Sequence, residues 1–103
     1  MDQERADQNF TATAAVEEGR VVVKVAGEVD MSTADVMYQA GIKDGVPAAT
    51  LDLRAVTFFD SAAIHALLRL AEQYGDRLIV LPSPQVRRVL EISGLSTQPW
   101  LRD

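Results

Sequence analysis

The sequence predicts an α/β domain in which about three to four helices pack against a mixed β-sheet, in the order β-β-α-β-α-β-α with a last edge strand near the C-terminus. Three observations predict it. A Thr/Ala/Val-rich stretch is split by Glu17-Glu18-Gly19, two later extended apolar segments are each followed by a helical pattern, and Pro47, Pro82 and Gly94 fall at the breaks.

Residues 10–16 are rich in Thr and Ala, and residues 21–26 alternate Val21, Val23, Val25 with Val22, Lys24, Ala26. With the Glu-Glu-Gly turn between them, they read as a hairpin. Gly27 to Asp30 breaks the second strand. Ser32 stands three residues before Asp35, a capping-box-like start for a helix over 33–43. Gly45 and Pro47 end that helix, and Leu51 and Leu53 then alternate with Thr50 and Asp52, which predicts a third strand over 48–53.

The clearest amphipathic helix spans 61–74, where Ile64, Leu67, Leu68 and Ala71 recur at helical spacing and His65, Arg69, Glu72 and Gln73 take the other faces. The apolar run 78–81, stopped by Pro82, predicts a strand covered on both faces. Ser83 then serves as an N-cap with Pro84 at the first helical position, and Val86, Val89 and Leu90 form the buried stripe of a last helix. Gly94 closes this helix, with Leu95 packing back on Leu90, and Pro99-Trp100-Leu101 supplies the final edge strand.

A chain of 103 residues with 48% hydrophobic and 24% charged residues has the balance of one globular domain. The acidic, nearly apolar-free stretch 1–9 reads as a terminal tail, and 10–103 as the domain. That start is unlike a signal peptide, and no apolar run is long enough for a bilayer, so the expected location is the cytoplasm, away from the membrane. With no cysteine and one histidine, His65, a metal centre is not expected. A net charge of −5 without a basic cluster argues against nucleic acid, and the absence of a glycine-rich phosphate loop argues against a bound nucleotide or other cofactor.

The informative segment is 52–61, Asp-Leu-Arg-Ala-Val-Thr-Phe-Phe-Asp-Ser. Asp60 and Ser61 both suit the start of a helix, where their side chains satisfy free N–H groups. Two features point beyond a cap. Phe58 and Phe59 are adjacent and cannot both point inward from a strand end, so one of them is expected on the surface beside Ser61. A hydroxyl at a helix N-terminus is also a favourable place for a phosphate. His65 lies one turn after Ser61, but no nucleophile elbow, oxyanion hole or orienting group accompanies the pair, so no enzyme is expected. Glu28 and Asp30 read as partly exposed acids at a helix approach, and Arg87 and Arg88 as outer-face groups with Glu91 near for an ion pair.

These residues resemble the STAS family, named for sulfate transporters and anti-sigma factor antagonists. The resemblance runs over 10–95 and rests on Gly27-Glu28-Val29-Asp30 after a strand, on Asp52-Leu53 with Val56, Phe58, Asp60 and Ser61, and on Ser93-Gly94-Leu95. It implies a single STAS-like domain whose Ser61 is phosphorylated by its partner, an anti-sigma factor that is also a serine kinase and itself binds the ATP. Dephosphorylated, such a protein binds the anti-sigma factor and frees a sigma factor, and a serine phosphatase reverses the modification. The implied partner-binding residues are Glu28, Asp30, Ser32, Thr33, Phe58, Phe59, Asp60, Ser61, Ala62 and His65, on a monomer or weak dimer. The alternative within the same resemblance is an accessory STAS subunit of an ABC-type membrane lipid transporter, docked through the same helix on an ATPase subunit.

Overall fold

The computed structural model describes residues 9–43 and 45–102. The elements are β1 (Phe10–Glu17), β2 (Arg20–Val29), α1 (Ala34–Gly41), β3 (Ala48–Phe59), α2 (Ser61–Tyr74), a 3-10 turn (Gly75–Arg77), β4 (Leu78–Pro82) and α3 (Pro84–Ile92), in the predicted order. Of the expected tail, residues 1–8 lie outside the described residues.

β1 and β2 form an antiparallel hairpin whose register runs unbroken from Phe10↔Gly27 to Glu17↔Arg20. Its two turn residues, Glu18 and Gly19, both have positive φ (54° and 78°), the twist-matched geometry of a tight hairpin. β2–β3 and β3–β4 are parallel, and the spatial order is β1-β2-β3-β4. Both crossovers step the same way across the sheet, and right-handed connections then place α1 and α2 on one face. Val21, Val23 and Val25 of β2, Leu51 and Leu53 of β3, and Leu78 and Val80 of β4 are buried on that face with Met37, Leu67 and Leu70. Val86, Leu90 and Trp100 join the same core. Truncating one of the fully buried leucines to alanine costs about 2–5 kcal/mol.

Four expectations need correction. β4 is not covered on both faces. Ile79 and Leu81 are only half-buried, and Val22, Lys24, Thr50 and Asp52 share their open side, because no crossover returns a helix there. β3 is twice the expected length. Register shifts between Lys24 and Ala26 and between Gly27 and Glu28 let it continue, and buried positions then fall at Leu53, Val56 and Phe59, a spacing of three that hides a strand from an alternation reading.

α1 begins at Ala34 without a side-chain cap, and Ser32 does not form a capping box with Asp35. Ser32 turns back instead, giving its N–H (2.9 Å) and Oγ–H (2.7 Å) to Asp30 Oδ1, a charged acceptor that competes better than the helix end. The terminal edge strand shrinks to a single parallel bridge, in which Val80 N–H donates to the Trp100 carbonyl (2.8 Å) and Arg102 N–H to the Val80 carbonyl (2.9 Å).

The helix ends follow their sequence signals. Ser83 accepts the Val86 N–H at 3.1 Å with Pro84 behind it, and Tyr74 Oη donates to the Gly41 carbonyl at 2.6 Å, tying α2 to the end of α1. α3 closes with Gly94 at φ 78°, Leu95 N–H to the Leu90 carbonyl (2.8 Å) and Gly94 N–H to the Glu91 carbonyl (3.1 Å), both bonds of a Schellman end. No helix among the described residues is long and apolar enough to cross a membrane.

Candidate functional site

The carboxyl ends of parallel strands leave two loops side by side, and this is where open α/β sheets place their sites. Val29 of β2 pairs with Phe59 of β3, and the Asp60 N–H donates to the Val29 carbonyl at 3.3 Å. One residue past that pair stand Asp30 and Asp60; two residues past it stand Met31 and Ser61. The register therefore brings the β2–α1 loop and the start of α2 to one end of the sheet.

Each loop has its own internal scaffold. Thr33 is buried, with Oγ1 accepting the Asp30 N–H (2.9 Å) and donating to the Glu28 carbonyl (2.9 Å). Asp30 accepts from the Ser32 hydroxyl and N–H, and its carbonyl receives the N–H groups of Thr33 (3.0 Å) and Ala34 (2.8 Å). The Ser32 hydroxyl and N–H hold the Asp30 carboxyl below its ordinary value of 3.8, with a smaller contribution from Thr33. On the neighbouring loop, Asp60 is the N-cap of α2, its Oδ1 accepting the Ala63 N–H at 3.1 Å. Ser61 is the first residue of the helix and is exposed.

The second register shift sets the aromatic pair. Glu28 pairs with Phe58 one step after Gly27 pairs with Val56, and the bulge turns Phe59 inward (4% exposed) and Phe58 outward (49%). Gly27 has a φ of 92°, and a Cβ there would collide with the Asn9 carbonyl, so the bend before Glu28 depends on glycine.

Glu28, Ser32, Phe58, Ser61 and His65 are exposed, while Asp30, Asp60 and Ala62 are half-buried. Thr33 and Phe59, expected to meet a partner directly, are buried instead: one is held by two backbone partners, the other by the core. His65 sits on the flank, lining a 620 Å³ groove between α2 and the C-terminal segment with Leu68, Arg69 and Trp100. Arg69 in this groove is already engaged, its guanidinium 3.8 Å from the Tyr38 ring centroid and 3.9 Å from Asp35.

Sequence reading missed Met31. It is 86% exposed, the most exposed large apolar side chain among the described residues, on the loop that Asp30 and Thr33 hold in shape. Its signal was a methionine between two polar capping residues, where nothing apolar is needed locally. With Phe58 it gives two exposed apolar side chains at the same end of the sheet as Glu28, Asp30 and Asp60. Exposed apolar side chains set among carboxylates suit contact with a protein partner.

The family model described as "Mlab, STAS domain" matches residues 12–103. The anti-sigma-F factor antagonist RsfB of Mycobacterium tuberculosis is 29% identical over 96 residues, covering 87% of this chain and 79% of the relative. A crystal structure of an anti-sigma factor antagonist from Mycobacterium paratuberculosis superposes with a TM-score of 0.77 at 33% identity, covering 89% of this chain and 84% of the other. The Bacillus cell fate determinant SpoIIAA, an anti-sigma factor antagonist, is similar in two states. Its unphosphorylated form has a TM-score of 0.67 at 29% identity, covering 91% of this chain and 86% of that one, and its phosphorylated form 0.62 at 25%, covering 91% and 89%.

Proposed function

The chain belongs to the STAS domain family, and on that basis we propose that it is an anti-sigma factor antagonist whose docking face is the end of the sheet around Ser61. Unmodified, this face binds an anti-sigma factor with serine kinase activity and releases a sigma factor. The partner's ATP gives its γ-phosphoryl group to Ser61 Oγ, the hydroxyl proton passes to a base of the kinase, ADP leaves, and the complex comes apart. A serine phosphatase resets the chain. This protein supplies the acceptor hydroxyl and the docking contacts, and no catalytic group.

The observation that carries the proposal is the division of labour between Asp60 and Ser61. Asp60 satisfies the helix end, so the exposed Ser61 hydroxyl is not needed for capping. A modification there alters the surface and leaves the fold alone. Phosphate adds about −1.5 to −2 charges beside Asp60 and near Asp30 and Glu28. A partner fitted to a neutral hydroxyl would have to desolvate that anion, which is costly without a new cationic partner.

Phe58 and Met31 supply the apolar contacts in this reading, Glu28, Asp30 and Asp60 the charge, and Ser32, Ala62 and His65 the surrounding surface. Thr33 and Phe59 contribute by holding the loops from inside. The relatives reported above are named as antagonists, which favours this reading over an accessory subunit of a lipid transporter. The experiment is to purify the unmodified chain with whatever binds it, add ATP, and map the phosphate by mass spectrometry. The proposal expects a bound kinase, one phosphate on Ser61 and dissociation; a transport ATPase in its place would support the other reading.

A further inference from the structure

The two edges of the sheet are treated differently. At one edge, β4 is met by the C-terminal segment, which takes the Val80 N–H and carbonyl into two hydrogen bonds. At the other edge lies β1, and among the described residues only β2 pairs with it. An open edge carries a row of unpaired N–H and carbonyl groups, and proteins commonly guard such a row with lysine, proline, a bulge or a short strand. β1 has none of these. It is eight residues long, its register with β2 is unshifted, and from Phe10 to Val16 it carries no charge and no proline. Its side chains are small and leave the edge open to lateral approach: Thr11, Thr13, Ala14 and Ala15 are exposed, and Val16 is 55% exposed.

We propose that β1 pairs antiparallel with β1 of a second copy of this chain, joining two sheets into one of eight strands. A second copy fits because the strand is self-complementary. In a two-fold arrangement centred on Thr13, Thr13 faces Thr13, Ala12 faces Ala14, Thr11 faces Ala15, and Val16 covers Phe10 of the other copy. Opposed residues share a face of the sheet, so both helix layers lie on the same side and the exposed Ala14 and Val16 gain apolar neighbours. The charges cooperate as well. The acidic residue of each strand, Glu17, sits at its far end, so the two copies' Glu17 side chains are separated by about 27 Å, the length of the strand. The two Ser61 faces end up at opposite ends of the joined sheet, so each copy keeps its docking face free.

Two narrow strands of small residues bury less than the about 1,600 Å² of a standard stable interface, so the dimer is weak, with a dissociation constant in the range of about 10 µM to 1 mM. Each copy carries a net charge of −5, so added salt strengthens association by screening the repulsion.

The test is sedimentation equilibrium of the full chain from about 10 µM to 1 mM, at low and moderate salt, with amide exchange of β1 followed over the same range. The expected result is a mass rising from 11.2 kDa toward twice that value, sooner with salt, with β1 amides gaining protection as concentration rises. The double variant Ala14→Lys, Val16→Lys alters only exposed side chains and should keep the melting temperature while remaining monomeric throughout. A mass of one chain at every concentration would overturn the proposal. So would a dimer that survives the lysines, which would place association on another surface, or protection of β1 independent of concentration, which would mean that residues 1–8 cover the edge.

Discussion

Asp60 Oδ1 accepts the Ala63 N–H at 3.1 Å, and by capping α2 from outside the helix it separates the task of holding the helix from the task of presenting Ser61. The neighbouring residue is then free to change chemically. This relationship gives a prediction about stability. Ser61→Ala should lie within about 0.5 kcal/mol of the parent, whereas Asp60→Ala should cost about 1 kcal/mol through loss of the cap. Urea unfolding of both variants with equal m-values checks it. If Ser61→Ala costs as much as Asp60→Ala, the two residues share the cap.

The Asp30 loop gives a prediction about pH. The folded carboxyl is held below 3.8 by the Ser32 hydroxyl and N–H. A group whose folded value is depressed contributes stability above its unfolded value and loses it as pH falls through the folded one. The loop contacts should therefore persist through pH 3.8 and release only at lower pH. In an NMR titration of the Asp30 side-chain carboxyl the midpoint should fall below 3.8, and Ser32→Ala should move it upward. No movement in that variant would mean that Ser32 does not hold the carboxylate.

Met31 and Phe58 are predicted to matter for the partner and not for the fold. Both are exposed at the end of the sheet, so Met31→Ser and Phe58→Ser should leave the melting temperature nearly unchanged. Apolar anchors at the centre of an interface commonly cost more than about 1 kcal/mol when truncated, so each should weaken binding of the anti-sigma factor by about tenfold. Calorimetric titration of folded variants reads this directly. Parent-like affinity in both would move the docking face elsewhere.

Much of this architecture was legible in the sequence because local rules and tertiary packing agree. Ser83-Pro84 and Gly94-Leu95 bracket α3 by capping chemistry alone, and the 61–74 periodicity needs no other information. The failures come from places where a non-local partner decides. The second half of β3 follows β2 through two register shifts, and no local pattern announces a bulge, so the alternation reading stopped at Leu53. Ser32 has the right spacing for a capping box, yet Asp30 captures it. At the site, Ser61 and Phe58 were readable as a hydroxyl and an aromatic at a strand-to-helix junction. Met31 was not, since its place at this end of the sheet depends on the Val29↔Phe59 pairing that brings two loops distant in sequence together.

The central claim is that one neutral hydroxyl, Ser61, controls docking. It is tested most directly by titrating the parent, Ser61→Ala and Ser61→Glu against the anti-sigma factor kinase that copurifies with the unmodified chain, with and without ATP, after thermal melts confirm folding. The parent should bind without ATP and weaken by about a hundredfold or more with it, equivalent to about 3 kcal/mol. Ser61→Ala should bind equally well in both conditions and take up no phosphate. Ser61→Glu, which places a permanent negative charge beside Asp60, should bind poorly in both. The contradicting result is a Ser61→Ala variant that still gains one phosphate and is released by ATP like the parent, which would transfer the switch to another hydroxyl.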